Sequence, residues 1–105
     1  LYINTKKGDQ AISIFKYLID NDALNANYSY QLALAYALKN DRDRMINSFI
    51  ATYKKDTLHL NAIVNLATSF HKLRDVDSTQ LFVVKGLAID KDHISLNRLK
   101  INQLF

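Results

Sequence analysis

An all-α fold is predicted by three observations on this chain. It repeats itself every 34 residues, each period holds two segments with apolar residues at helical spacing, and no segment alternates as a strand does. The repeat is plainest where LALAYALKNDRD, beginning at Leu32, returns as LATSFHKLRDVD at Leu66. The two stretches share Leu32/Leu66, Ala33/Ala67, Asp41/Asp75 and Asp43/Asp77, with Tyr36 answered by Phe70. Triplets extend the same phase: Tyr2/Tyr36/Phe70, Asp9/Asp43/Asp77, Ile12/Ile46/Gln80, Phe15/Phe49/Val83 and Asp22/Asp56/Asp90. One helix pair cannot bury both of its faces, so the pairs are expected to stack and to share their stability between neighbours.

The elements follow in order. A first helix is predicted near Asp9–Ile19, and Leu1-Tyr2-Ile3 before it reads as the tail of another. From Asn27 to Lys39, Leu32, Ala33 and Tyr36 fall on one buried stripe. From Asp43 to Lys55, Ile46, Phe49, Ile50 and Tyr53 share a face. The pattern recurs as Asn61–Leu73 and Ser78–Ile89, and a last helix is predicted at Ile94–Leu104. The junctions KNDRD and RDVDS are short and polar, which makes neighbouring helices antiparallel. All ten acids are Asp, and nearly all fall at the junctions between predicted helices, where a short carboxylate accepts from free N–H groups at a helix start. Ala33 and Ala67 let helices approach closely, with the aromatics filling the space beside them.

Composition narrows the function classes. At 105 residues the chain is one domain at most. Its opening at Leu1 reads as a fragment or a processed form, with no signal peptide visible. The absence of cysteine excludes disulfides, thiolate zinc sites, iron–sulfur clusters and cysteine nucleophiles. The longest apolar run, Leu32–Leu38, is far too short to span a bilayer, so no membrane insertion is expected. The net charge of +4 is scattered over the chain without a basic stripe, and no nucleic acid partner is expected.

No catalytic, cofactor or metal site is predicted. His59 and His93 stand one period apart, but zinc wants three or four protein groups, and solvated histidines at helix entrances are the better reading. Ser69 and His71 lie about 200° apart around a helix, so with Asp75 they make no triad. Gly8 and Gly86 are isolated, which leaves no phosphate-cradling loop. The pairs Asp41/Asp43, Asp75/Asp77 and Asp20/Asp22 are better explained by capping than by acid–base chemistry. The chain is not expected to be an enzyme.

A helix–turn–helix period of 34 residues with Leu32-Ala33 and Leu66-Ala67, each followed by an aromatic at Tyr36 or Phe70, resembles the tetratricopeptide repeat (TPR). In the second helices Ala11-Ile12 with Phe15 and Met45-Ile46 with Phe49 carry the likeness, which Thr79-Gln80 with Val83 follows poorly. The family's usual proline after the second helix is replaced by Ala23, Thr57 and Lys91. The glycine that often ends the first helix is Asn40 or Arg74, and the aromatic near its start is Ser29 or Ile63. The resemblance implies a helix-pair solenoid in a right-handed superhelix. It also implies one array over residues 1–105: a partial repeat 1–25, repeats 26–59 and 60–93, and a terminal helix 94–105.

In that family the first helices line a concave groove. Here the face away from the Ala–aromatic stripe carries Asn27, Tyr30, Gln31 and Leu34, then Asn61, Val64, Asn65 and Thr68, then Ser95, Arg98 and Asn102. Asn27 with Asn61 and Gln31 with Asn65 form two ladders of amides, groups that suit the backbone of an extended peptide. A chain with ten asparagines could also place them there by composition alone. The charged clamp by which some members hold chaperone tails is absent: the matching places are Tyr30, Leu34, Asn65, Ser95 and Leu99. The predicted function is therefore a scaffold that binds an extended or helical segment of a protein partner. The alternatives are a purely architectural or oligomerisation segment, or, further off, an RNA-binding helical repeat. The terminal segment Ile94–Phe105 is apolar on more than one side. It is a candidate surface for self-association, or for continuation of the array.

Overall fold

The protein is described by a computed structural model over residues 2–104, with side chains described over residues 7–100. Six helices and no strand occur among the described residues: α1 (Tyr2–Asn21), α2 (Ala26–Leu38), α3 (Arg42–Lys55), α4 (Leu60–Lys72), α5 (Val76–Ile89) and α6 (Ile94–Leu104). The predicted bounds of α2 to α6 agree with these within one or two residues. The chain divides into two compact units, Leu1–Thr57 and Leu58–Phe105.

In the first unit α2 packs against both α1 and α3. Ala33, Ala35 and Tyr36 of α2 meet Ile46 and Phe49 of α3 in its core, all of them buried. Tyr30 adds a tilted ring contact to Phe49, with centroids 5.6 Å apart. Two of the unit's three buried serine and threonine hydroxyls, those of Thr52 and Ser29, make short hydrogen bonds. Thr52 donates to the Ser48 carbonyl one turn back (2.8 Å), and Ser29 accepts from Lys55 Nζ (2.6 Å).

The start of the chain departs from expectation. Tyr2 and Ile3 are not the tail of a separate helix, because α1 runs unbroken from Tyr2 to Asn21. Nothing between Ile3 and Asp9 caps or stops a helix, and Gly8 serves packing instead. It is buried, and a Cβ there would sit 2.9 Å from Cγ of Lys39 and 3.4 Å from the Ala35 carbonyl oxygen. Close beside this contact, Lys39 forms an ion pair with Asp9. Leu1 lies outside the described residues.

In the second unit α4 packs on α5, and α6 packs on both. The core is Ala62, Ile63, Leu66 and Ala67 from α4, Phe82 and Val83 from α5, and Leu96 and Leu99 from α6. Phe70 and Phe82 stack with centroids 5.9 Å apart and ring planes 5° apart. Gly86 admits α6: a Cβ there would collide with the Leu96 side chain and lie 3.2 Å from Cγ2 of Ile63. Of the terminal apolar residues, Leu96 and Leu99 are thus used inside the unit, while Ile94 is 73% exposed. Ile101, Leu104 and Phe105 lie outside the residues whose side chains are described.

The 34-residue period reappears as atomic detail at the joints. α2 and α4 each end in a residue of left-handed conformation, Asn40 (φ 58°) and Arg74 (φ 59°). The N–H of Asp41 returns to the Tyr36 carbonyl and that of Asp75 to the Phe70 carbonyl, both at 3.0 Å. The N–H groups of Asn40 and Arg74 return to Ala37 and His71. These are the paired bonds of a Schellman stop, which satisfies the last free carbonyls of a helix. The same two aspartates then cap the next helix. Asp41 Oδ1 accepts from the Arg44 N–H at 3.2 Å, and Asp75 Oδ1 accepts from the Ser78 N–H at 3.1 Å. One residue therefore closes one helix and opens the next, which explains how a joint so short turns the chain back.

The other aspartates do not cap as expected. Asp43 and Asp77 lie within first turns, where a negative charge suits the helix dipole. Asp56 and Asp90 end α3 and α5 through their backbone N–H groups, and Asp20 and Asp22 sit at the far end of α1. Caps at the entrances of α2, α4 and α6 come instead from Asn25, His59 and His93, spaced by one period.

Candidate protein-interaction surface

On α2 the residues Asn27, Tyr30, Gln31 and Leu34 stand at i, i+3, i+4 and i+7, so they share one helix face. Ala33 and Tyr36 point the other way and are buried. Asn27 and Gln31 are exposed, Leu34 is 36% exposed and Tyr30 is half-buried. Asn27 has its place because it is the second residue of the helix, where its N–H donates to Asn25 Oδ1 at 3.0 Å. Tyr30 is held by its ring contact with Phe49. The face thus offers two amides, a half-buried aromatic ring and one aliphatic side chain.

On α4 the matching residues are Asn61, Val64, Asn65 and Thr68. Asn61 is exposed, while Val64, Asn65 and Thr68 are half-buried. Two of these side chains bond back to their own helix. Asn65 Nδ2 donates to the Asn61 carbonyl at 2.8 Å, and Thr68 Oγ1 donates to the Val64 carbonyl at 2.9 Å. This face is more enclosed than that of α2, and part of its donor capacity is already used within the helix. Sequence spacing placed these residues on one face but carried no sign of the inward bonds. On α6, Ser95 and Arg98 are exposed, and Asn102 lies outside the described side chains.

Two of the three histidines have structural work. His59 Nδ1 accepts from the Ala62 N–H at 3.1 Å, and His93 Nδ1 accepts from the Leu96 N–H at 3.3 Å. They cap α4 and α6 in the register where Asn25 caps α2, so the expectation of merely solvated residues is corrected. The signal was present in the sequence, since Asn25, His59 and His93 are one period apart and Asn is a preferred cap. Asp75 is engaged by the N–H and the hydroxyl of Ser78, the latter at 2.8 Å, and Ser69 is buried. Among the described residues no group of three or more His, Asp or Glu side chains gathers where a metal ion could be held. No described helix is long and apolar enough to cross a membrane.

No family model and no curated protein matches the chain. Among solved structures the chain is similar to PcrH, crystallised in complex with the chaperone binding region of PopD. The TM-score is 0.71 over 93% of this chain and 74% of that one, at 18% identity. The protein accordingly has an all-helical fold of the kind seen in PcrH.

Proposed function

We propose that this chain is a divergent tetratricopeptide-repeat array and acts as a non-catalytic scaffold that binds a protein partner. The binding surfaces are the outward faces of the first helices, α2 and α4. Each face takes an extended or helical segment, held by side-chain amides along its backbone and by apolar contacts, at Tyr30 and Leu34 on α2 and at Val64 on α4. Residues 1–25 form the partial repeat, 26–59 and 60–93 the full ones, and 94–105 the terminal helix. Arg98 extends the surface of the second unit onto α6.

The observation that carries the reading is the face of α2. Asn27, Gln31 and Leu34 are exposed on a helix whose packing needs only the opposite side. An amide offers both a donor and an acceptor, the pair an extended backbone requires. The recurrence of the same helix joint at a 34-residue interval supports the repeat assignment. The likeness to PcrH supports a binding role, since that protein was crystallised with a region of another polypeptide.

The test is affinity capture from source-cell lysate with the parent chain and with an Asn27/Asn61/Asn65→Ala triple variant of unchanged helicity. A protein retained by the parent and lost by the variant is the expected result. Identical retention by both, or retention of nothing by either, rejects these faces as the site.

A further inference from the structure

The outward face of α5 is apolar without need. Leu81 is 50% exposed and Val84 60%, and Ala88 beside them is exposed as well. The second unit does not bury any of the three. The equivalent places in α3 are Asn47, Ile50 and Lys54, so the helix pair is built equally well with a polar residue at the centre of this face. What distinguishes α5 is the order of charge around that centre. Asp77, Leu81 and Lys85 stand four residues apart and form one ridge along the helix. The ridge in α3 reads Asp43, Asn47, Ala51 and has no cation to balance the acid.

We propose that this face binds a second copy of the same chain, α5 against α5, in antiparallel order. The ridge is complementary to itself when turned end over end. With Leu81 meeting Leu81 on the two-fold axis, each Asp77 comes opposite Lys85 of the second copy. Val84 of each copy covers the apolar centre from the side. A two-fold contact of this kind uses the same patch twice, so every favourable pair is made twice. Lys85 already has an interaction within its own chain, and the three donors of its ammonium group leave room for a second acceptor. One helix face cannot cover the roughly 800 Å² per partner of a standard interface, so the dimer is weak and forms with rising concentration. This surface is separate from the faces of α2 and α4 assigned above, and it stands whether or not they bind a peptide.

The experiment is sedimentation velocity of the full chain from micromolar to millimolar concentration, with circular dichroism to confirm that each variant keeps its helices. The parent is expected to shift from monomer to dimer. Asp77→Lys alone and Lys85→Glu alone each bring like charges together twice and should weaken association by at least about tenfold. An equimolar mixture of the two restores both opposite-charge pairs, so the mixture should dimerise where neither variant does. Leu81→Glu sets two carboxylates on the axis and should abolish the dimer without depending on Lys85. A parent that stays monomeric at every concentration overturns the proposal. So does a dimer that ignores these substitutions, or a mixture of folded variants that fails to associate.

Discussion

The hairpins α2–α3 and α4–α5 use the same joints and different interiors. Each first helix ends in a left-handed residue and a pair of returning N–H groups, and the following aspartate caps the second helix. Between those fixed points the contacts diverge. Where the first hairpin joins Ser29 to Lys55 by a hydrogen bond, the second has a fully buried Ile63 with Ile89 near the surface. Thr52, buried and bonded to its own helix, becomes Gly86, which lets Leu96 of α6 approach. The aromatic contact moves as well, from Tyr30 against Phe49 to Phe70 stacked on Phe82. The period is held by backbone closure at the turns, while the core exchanges polar for apolar contacts around it.

The largest expected effect lies at the first of these exchanges. Ile63→Ala should cost the second unit about 2–5 kcal/mol, as removal of a fully buried branched side chain does. Ser29→Ala should cost the first unit only about 1 kcal/mol, because it removes one hydrogen bond from a half-buried lysine. Urea unfolding of the two variants measures both. Equal losses would mean that the polar and apolar solutions are interchangeable in energy as well as in place.

The two glycines sharpen the contrast next. Gly86→Ala forces a methyl group against Leu96 and Ile63, both fully buried, and overpacking of this kind costs about 1–3 kcal/mol. At Gly8 the nearest atom is Cγ of Lys39 at 2.9 Å, in a side chain held by its ion pair with Asp9, and the Ala35 carbonyl oxygen lies 3.4 Å away. Gly8→Ala should therefore cost less than Gly86→Ala, its milder overlap being set against the helix preference of alanine over glycine, about 1 kcal/mol. Thermal melts should show the larger loss for Gly86→Ala.

Smaller effects belong to the joints. Asp41→Ala and Asp75→Ala should each cost about 1 kcal/mol, the ordinary worth of an N-cap. Arg74→Gly should stabilise by about 1 kcal/mol, because a long side chain held at φ 59° is strained and glycine is not. Asn40→Gly should gain less, since asparagine visits this conformation readily. Chemical denaturation of the four variants checks the order. A destabilising Arg74→Gly would show that the arginine side chain contributes more than its backbone strain removes.

These contrasts explain what could be read beforehand. The joints were legible because Asp41 and Asp75 are single residues with a local role, and local roles leave local signatures. The absence of glycine at Asn40 and Arg74 looked like a departure, yet the backbone geometry glycine serves is kept at both. The interior was less legible. A serine where an aromatic was expected gives no hint that Lys55 reaches it from 26 residues away. Gly86 showed nothing of its use, because the residue that needs the space, Leu96, belongs to another helix. The candidate site was legible as a face and not as a chemistry. Spacing put Asn65 and Thr68 beside Asn61 and Val64, but only the structure shows them bonding inward.

Residue-specific crosslinking tests whether the outward faces of the first helices bind a partner, as proposed. A photoreactive residue would be placed at Leu34 on α2 and, for comparison, at the exposed Asn47 on α3, with each chain incubated in source-cell lysate. A discrete adduct with another protein is expected from Leu34 and none from Asn47. Equal adducts from both positions, or an adduct from Asn47 alone, would contradict the proposal.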